Sequence, residues 1–198
     1  MRQLLVATNN GGKLTEFRRL LSDLPARVVG PAEIGLELDV PEPHFTYAEN
    51  AAAKADAFCR ASGLLTLADD SGLEVRALGG APGVRTGRYG GPGVADRVRY
   101  LLGELDGATD RSARMVCWLA LAIPLEPVPQ VELFEGTMEG WLTAEPRGTG
   151  GFGYDPVFQL PVGLTTAELP AGDKDRISHR GRAVAAARPR LMELLQPG

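Results

Sequence analysis

Two adjacent carboxylates interrupt an apolar stretch of the chain. Residues 64–68 are typical of a short buried strand, and an acidic turn carrying Asp69 and Asp70 is predicted to follow them. Adjacent carboxylates repel one another and are costly where water is scarce, so a compensating positive charge must lie nearby. Because side chains alternate along a strand end, only one of the pair needs to face a ligand.

A glycine-rich turn near the start of the chain has the character of a phosphate site. The segment TNNGGK, residues 8–13, separates an apolar strand from a helical pattern, so backbone N–H groups point outward at the helix start. Lys13 lies in the first turn, where the helix dipole disfavours a cation, and this suggests an anion beside it. The segment is not a Walker A loop, because Ala7 and Leu14 occupy two of its required positions. An ordinary strand-to-helix turn is the alternative, and we favour phosphate binding.

A second set of polar residues surrounds the next helix. Asn50 and Lys54 lie one turn apart on one helical face, and Glu42 lies just upstream in a loop. A solvated helix face is the common interpretation of such a pair. From the sequence pattern alone, the three residues could belong to a functional site or to a solvated helix face.

The segment GTGGFGYDP, residues 148–156, contains a misleading match to the dinucleotide-binding pattern G-x-G-x-x-G. Its glycines lead into Tyr154, Asp155 and a proline rather than into a helix, so the match is accidental. Phe152 and Tyr154 on such a loop could stack on a planar base, with a polar neighbour reading the base edge. A tight turn that buries two aromatic rings is an equally good interpretation.

The segment DKDRISHRG gathers polar residues before the last helix. It contains Lys174, Ser178, His179 and Arg180. An isolated charged run of this kind is usually a solvated surface.

These residues are carried by alternating strand and helix patterns. Strands are predicted over 4–7, 26–30, 64–68, 113–123 and 131–145, and helices over 13–24, 48–62, 95–105 and 179–195. Thr46 and Glu49 form a T-x-x-E capping box before the second helix. The Gly/Pro-rich residues 79–93 are either a linker or a functional loop. The pattern predicts an α/β fold with a central mixed sheet, flanking helices and two lobes around an active-site cleft.

Composition excludes several classes of protein. The chain has 198 residues with 44% hydrophobic and 23% charged residues, which is typical of a globular protein. A formal net charge of −4 argues against a duplex nucleic-acid binder held by a broad basic face. No apolar run has the length of a membrane span, and the N-terminus does not resemble a signal peptide, so we expect a cytoplasmic protein that binds no membrane. Cys59 and Cys117 have no metal-type spacing and are predicted to be buried thiols.

The order of these segments along the chain resembles the Ham1-type family. The matching blocks are TNNGGK, FTYAENAAAKA, ADDSGLEV with LGGAPGV, GGFGYDPVF and ISHRG, which together extend over nearly the whole sequence. Members of this family are inosine/xanthosine triphosphate pyrophosphatases. The resemblance implies one nucleotide pyrophosphatase domain over residues 1–198 and a homodimer. It also implies Mg²⁺-dependent hydrolysis of ITP, dITP and XTP to the monophosphate and pyrophosphate.

The resemblance also implies a role for each matching residue. The phosphate-binding set is Thr8, Asn9, Asn10, Gly11, Gly12, Lys13 and Lys54. Glu42 and Asp70 correspond to the metal ligands, Asp70 also to the general base, and Ser71 to a substrate contact. The base-recognition set is Phe152, Gly153, Tyr154, Asp155, Lys174, His179 and Arg180.

One loop departs from the family pattern. The family usually reads E-x-G-x-T-F after Glu42, whereas this chain has His44 in place of the glycine and Tyr47 in place of the phenylalanine. These two differences bear on the path of the loop and on the metal role of Glu42.

The chemistry of the proposed set is consistent. Mg²⁺ prefers carboxylate, water and phosphate oxygens, so it would make acidic neighbours tolerable while Lys13 and Lys54 add positive field. Three alternatives remain: a pyrophosphatase for other modified nucleotides, a sensor that binds a triphosphate without cleaving it, and a glycosidase pair made of Glu42 and Asp70. The lysines argue against the glycosidase.

Overall fold

A computed structural model describes residues 2–196, so Met1 and residues 197–198 of the predicted domain lie outside the described part. The strands are β1 Arg2–Val6, β2 Ala26–Val29, β3 Leu65–Val75, β4 Ser112–Ile123, β5 Gln130–Leu142 and β6 Phe158–Gln159. The helices are α1 Gly11–Leu20, α2 Tyr47–Ser62, α3 Val94–Glu104, α4 Ala171–Ile177 and α5 His179–Leu195. In this part of the chain no helix is both long enough and apolar enough to cross a bilayer.

The strands form one mixed sheet in the order β2-β1-β3-β4-β5-β6. β1 is parallel to both β2 and β3, with Leu4 opposite Val28 on one side and opposite Leu65 on the other. β6 is antiparallel to β5. Parallel neighbours need a crossover connection, which α1 and α2 supply. The α/β class with a central mixed sheet is confirmed.

The chain divides into two compact units. Unit 1 contains the residues up to Asp70, Cys117–Gly136 and the residues from Arg180 onward, and unit 2 contains Ser71–Val116 and Thr137–His179. β3, β4 and β5 therefore each contribute residues to both units. The prediction of two closely packed lobes around a cleft stays a prediction.

The core of unit 1 lies on both faces of its strands. Leu4 and Val6 of β1 pack in a cluster with Phe17, whereas Leu5 between them packs in a second cluster with Ala51. This alternation follows from the period of two along a strand, and burial on both faces explains the continuous apolar run of β1. Cys59 and Cys117 are buried free thiols, as predicted.

The predicted acidic turn after Ala68 is wrong. β3 is one continuous strand of 11 residues that runs through both aspartates and on to Val75. The turn signals of Ser71 and Gly72 are local, and they are overridden because both carboxylates find partners on neighbouring elements. The aspartates therefore lie in the middle of a strand instead of at its end.

Unit 2 has its own core and an ordered glycine-rich segment. Leu73 of β3, Leu101 of α3 and Phe158 of β6 belong to one buried cluster. The segment 79–93 is held to this unit by Thr86, whose Oγ1 accepts from the Leu73 N–H at 3.3 Å and whose carbonyl accepts from the Tyr154 hydroxyl at 3.2 Å. The linker interpretation of this segment is therefore wrong.

Candidate active site

Asp69 and Asp70 point to opposite faces of β3 and meet different partners. Asp69 Oδ2 accepts from Lys13 Nζ at 2.9 Å and from Arg180 Nη2 at 3.2 Å. Asp70 Oδ2 accepts from Asn50 Nδ2 at 3.0 Å. Asp69 thus faces α1 and α5, and Asp70 faces α2, as alternation along a strand requires.

The two carboxyl groups have opposite pKa shifts. Burial alone would raise the pKa of Asp69, but the charges of Lys13, Arg180 and Lys54 overcome it and hold that pKa well below its usual range. Burial raises the pKa of Asp70 to about 6, and the negative charge of Glu42 adds to this, against the opposing hydrogen bond from Asn50. A carboxyl group whose pKa lies near neutrality can accept a proton from water more effectively than an ordinary aspartate.

The positive charge that the acidic pair requires comes from the protein itself. Lys13 lies in the first turn of α1 and forms its ion pair with Asp69, so the anion expected beside this lysine is a side chain of the same chain. The Asn10 side chain caps α1 by accepting from the N–H groups of Gly12 at 2.9 Å and Lys13 at 3.1 Å. Thr8 Oγ1 in turn accepts from the Asn10 N–H at 3.2 Å. The phosphate role of residues 8–13 stays a prediction, and a phosphate there would share these donors with the cap.

Lys54 of α2 and Glu42 form an ion pair in unit 1. The Lys54 ammonium pairs with the Glu42 carboxylate, and its Nζ also donates to the Asp69 backbone carbonyl at 3.1 Å. Burial would lower the pKa of Lys54, but the charges of Asp69, Glu42 and Asp70 raise it instead. The interpretation of Asn50 and Lys54 as a solvated face is therefore wrong, and Asn50 is buried.

The residues present fit a magnesium ion better than a metal held by protein ligands alone. Within residues 2–196 no group of three or more His, Cys, Asp or Glu side chains is arranged to hold a metal. Mg²⁺ needs only one or two carboxylates, because water and substrate phosphates supply its other ligands. The charge of Glu42 raises the pKa of Asp70, and the role of these two carboxylates as metal ligands stays a prediction.

The backbone of the altered loop after Glu42 is held in place by the Asn50 side chain. Asn50 Oδ1 accepts from the His44 N–H at 3.0 Å, and Asn50 Nδ2 lies 3.4 Å from the His44 carbonyl oxygen. A side chain in place of glycine leaves these backbone contacts intact. Asn50 therefore links the loop that carries Glu42 to Asp70, a connection that sequence reasoning missed although the helical spacing of Asn50 and Lys54 was visible.

Arg180 is buried among carboxylates in unit 1. Its Nη1 donates to Glu16 Oε2 at 2.5 Å, in addition to its contact with Asp69. The guanidinium carbon also lies 5.7 Å from the centre of the Phe17 ring. Burial opposes the charged form, but Asp69 and Glu16 outweigh it and raise the pKa of Arg180. Glu16 was not predicted, because a single glutamate in an amphipathic helix gives no signal of burial.

A second group of predicted residues lies together in unit 2. Asp155 Oδ2 accepts from Lys174 Nζ at 2.6 Å and from the Phe152 N–H at 2.8 Å. The Lys174 ammonium lies 5.3 Å from the centre of the Phe152 ring, within the range of a cation–π contact. The segment DKDRISHRG is therefore not a solvated surface, since Lys174, Ser178, His179 and Arg180 are all buried.

The remaining predicted contacts are distributed over both groups. Ser71 is buried and directly follows Asp70 on β3, and Gly153 and Tyr154 belong to the loop of Phe152. Asn9 lies beside the cap of α1. The structure thus gathers the phosphate and metal candidates in unit 1 and the aromatic loop with Lys174 in unit 2. Their joint action on one substrate stays a prediction.

A family model for the Ham1 family matches residues 4–190. The chain belongs to the Ham1 family. It is 45% identical to the dITP/XTP pyrophosphatase of Parasynechococcus marenigrum, over 98% of this chain and 97% of that protein. It is 46% identical to the dITP/XTP pyrophosphatase of Xanthomonas axonopodis pv. citri, over 96% of this chain and 98% of the other.

Solved structures of the Ham1 family have the same fold. A HAM1 protein from Coxiella burnetii superposes with a TM-score of 0.85 at 40% identity, covering 98% of this chain and 100% of that one. The Staphylococcus aureus Ham1 protein gives a TM-score of 0.84 at 35% identity, with the same coverage. The resemblance drawn from the sequence blocks is therefore confirmed.

Proposed function

We propose that this chain hydrolyses the non-canonical purine nucleoside triphosphates ITP, dITP and XTP to the monophosphate and pyrophosphate. Relatives similar over their full length are dITP/XTP pyrophosphatases. The observation that carries the proposal in this chain is Asp70, a buried carboxyl group with its pKa raised to about 6 beside the charges of Lys13 and Lys54. This combination supports the proposal, because Asp70 would accept a proton while Lys13 and Lys54 would bind phosphate.

The phosphate end of the substrate would bind on the unit 1 group. Lys13 and Lys54 are half-buried, so their ammonium groups retain access to a ligand while the surrounding protein strengthens their field. Glu42 and Asp70 would hold Mg²⁺, which when bound neutralises charge on the phosphate oxygens. Binding there would require Lys54 to release Glu42 and turn towards phosphate.

Asp70 would accept the proton from the attacking water. A water molecule positioned for in-line attack gives its proton to Asp70 as its oxygen bonds to phosphorus, and pyrophosphate leaves as the phosphoanhydride bond breaks. Asn50 holds the Asp70 carboxylate through its amide N–H, which donates to Oδ2 at 3.0 Å. Asp69 cannot replace Asp70 in this step, because Lys13 and Arg180 keep it ionised and reduce its basicity.

The base end would be read by the unit 2 group. Phe152 would stack on the purine, and Lys174 would donate to its 6-keto oxygen, whereas the base-reading role expected of Arg180 stays a prediction. Adenine carries an amino donor at this position and offers Lys174 no acceptor there, so it would be rejected. Gly153, Tyr154, Asp155, His179 and Ser71 would shape the pocket around the base and sugar.

We also propose that the chain acts as a homodimer in the cytoplasm and has no nucleic-acid polymer as a partner. Its negative net charge is consistent with a small anionic ligand bound by a few lysines instead of a long polyanion bound by a basic face. Light scattering of the purified chain at micromolar concentration checks the dimer, and a mass corresponding to one chain contradicts it.

A substrate panel tests the activity. Purified protein with Mg²⁺ is given ITP, dITP, XTP, ATP, GTP and a modified pyrimidine triphosphate, and the release of pyrophosphate and phosphate is measured separately. We expect pyrophosphate from the first three, and no turnover after the metal is removed with a chelator. Binding of ITP without pyrophosphate release would indicate a nucleotide sensor, and faster release from the modified pyrimidine would indicate a different substrate class.

A further inference from the structure

Asp155 organises the unit 2 group through both oxygens of one carboxylate. Oδ2 accepts from the Phe152 N–H at 2.8 Å and from Lys174 Nζ at 2.6 Å, which ties the aromatic loop to the ammonium group. The carboxylate is 3% exposed, so these charge-assisted hydrogen bonds lie in a region of low dielectric. The orientation of this carboxylate therefore sets the positions of both Phe152 and Lys174.

Thr166 fixes that orientation from the other side. Its Oγ1 donates to Asp155 Oδ1 at 2.8 Å and lies 3.1 Å from the Asp155 carbonyl oxygen. A hydroxyl group has one hydrogen, and the shorter distance directs it mainly to Oδ1. With donors on both oxygens, the carboxylate cannot rotate without losing hydrogen bonds.

The backbone around Thr166 is itself held in place. Thr166 begins a short 3-10 helix, Thr166–Glu168, that is capped by the Glu168 side chain, which accepts from the Thr165 N–H at 2.7 Å. Thr165 Oγ1 donates to the Arg147 carbonyl at 2.8 Å. The Thr166 hydroxyl is thus presented from a rigid element and is 1% exposed.

The loop opposite Thr166 needs a glycine to approach the same carboxylate. Gly151 has a φ of +70°, and a Cβ atom there would lie 2.0 Å from Asp155 Oδ2. Gly151, which is not one of the three glycines of the accidental G-x-G-x-x-G match, therefore permits a close approach to a buried carboxylate. This carboxylate is enclosed by the loop on one side and by Thr166 on the other.

We propose that Thr166 is a positioning residue for purine recognition, because its hydroxyl fixes the Asp155 carboxylate that places Lys174 and Phe152. This inference rests on the proposed function, in which Lys174 and Phe152 contact the base. Loss of the hydroxyl should weaken contacts at the base end and leave the phosphate chemistry of unit 1 intact. A merely structural threonine would instead change stability without changing base selectivity.

The test compares Thr166→Val, Thr166→Ser and a matched control, Thr165→Val. Both valine variants delete one buried hydroxyl from adjacent positions. Thr165→Val removes a bond that helps to hold the 3-10 helix, and only Thr166→Val removes a donor to Asp155, so the comparison separates loosening of the helix from loss of that donor. We expect Thr166→Val to raise the KM for ITP about tenfold with kcat within about threefold of wild type, and to lower the ITP to ATP ratio of kcat/KM. Thr166→Ser should restore the wild-type values, and Thr165→Val should keep the wild-type ratio.

Either of two kinetic results would overturn the inference: equal kinetic effects of Thr166→Val and Thr165→Val, or failure of Thr166→Ser to restore selectivity. Denaturant unfolding of all variants separates a loss of stability from a loss of recognition, and Thr166→Ala replaces Thr166→Val if the latter does not fold. Calorimetric affinities for IMP and AMP give a second readout that needs no turnover. Absence of pyrophosphate release by the wild type would refute the proposed function, whereas an unchanged IMP to AMP affinity ratio in Thr166→Val would refute the role of Thr166.

Discussion

The raised pKa of Asp70 would suit its proposed role as a base and has a cost in stability. Its pKa is about 6 in the folded protein, against 3.8 for an unperturbed aspartate, so the folded state binds this proton more tightly than the unfolded chain does. The contribution of Asp70 to the free energy of unfolding is therefore full below pH 3.8 and is lost as the pH rises through about 6. The loss is at most about 3 kcal/mol, which is a cost of keeping a base poised near neutrality.

We expect Asp70→Asn to abolish turnover and to stabilise the metal-free protein. An asparagine cannot accept the proton from water, so kcat should fall at least about 100-fold. Because the asparagine carries no charge, the melting temperature without metal should exceed that of wild type at pH 8, and the difference should shrink at pH 5. Thermal unfolding at both pH values and pyrophosphate release at pH 8 test this, and turnover within a few-fold of wild type would remove Asp70 from its role.

Lys13 should act on phosphate charge and not on the base. We expect Lys13→Ala to weaken ITP binding far more than IMP binding, because the triphosphate carries more negative charge at the phosphate end. Arg18→Ala on the same helix is the matched control, since Arg18 pairs with Glu33 at the surface. Calorimetry with both nucleotides decides the question, and equal losses of affinity for ITP and IMP would place Lys13 away from the phosphates.

Sequence reasoning found the charged residues of the candidate site and missed the neutral ones that hold them. The aspartate pair was noticed because adjacent carboxylates need compensation, Lys13 because it lies against a helix dipole, and Lys54 only through the family resemblance. Asn50 and Thr166 gave no such signal, because an amide or hydroxyl group has many ordinary functions in a fold. Their contacts with Asp70 and Asp155 are 20 and 11 positions away in sequence and depend on tertiary packing.

Three elements of unit 1 are joined by one buried charge network. Arg180 at the start of α5 contacts Glu16 of α1 and Asp69 of β3, and all three side chains are almost completely buried. Burial of so many charges is tolerated because each has a partner of opposite sign. The network therefore stabilises the positions of these elements only while it is complete.

We expect Arg180→Ala to destabilise the protein strongly. Removal of the guanidinium leaves two buried carboxylates with less compensation, which typically costs about 3–5 kcal/mol. Arg188→Ala on the same helix should cost no more than about 1 kcal/mol, because its pair with Asp23 is exposed. Urea unfolding of both variants measures the difference, and similar midpoints would show that the network contributes little.

Secondary structure was predicted correctly where a hydrophobic period extended over many residues, and wrongly where a few polar residues gave a strong local turn signal. The long strands and helices were recognised, and Thr46 caps α2 as the T-x-x-E pattern indicates, but the short α4 and β6 were not predicted. The turn at Asp69 and Asp70 was predicted from polar residues that favour turns in isolation. In β3 their tertiary partners override that preference.

The whole molecule has a separate hydrophobic core in each of its two units, and three strands contribute to both. Alternation of strands and helices predicted the α/β class, but not the division of single strands between units. That division depends on which distant residues pack on each part of a strand, such as Leu67 with Phe17 in unit 1 and Leu73 with Leu101 in unit 2.

We expect the two units to unfold in one transition. Leu101→Ala in unit 2 and Leu191→Ala in unit 1 each remove a fully buried side chain and should each cost about 2–5 kcal/mol. Because β3, β4 and β5 are shared, both variants should shift a single cooperative transition to lower temperature. Calorimetry checks this, and a new low-temperature transition in only one variant would show that the units unfold independently.

The opposite orientation of Asp69 and Asp70 makes this chain sensitive to insertions and deletions in β3. Removal of one residue between Leu65 and Ala68 would turn every later side chain of the strand to the other face. Asp70 would then meet Lys13 and Arg180, and Asp69 would be moved from the face of α1 and α5. The composition of the site would be nearly unchanged, but its proton acceptor would be held ionised and weakly basic. β3 should therefore tolerate a change in its length less well than a change in the type of one residue.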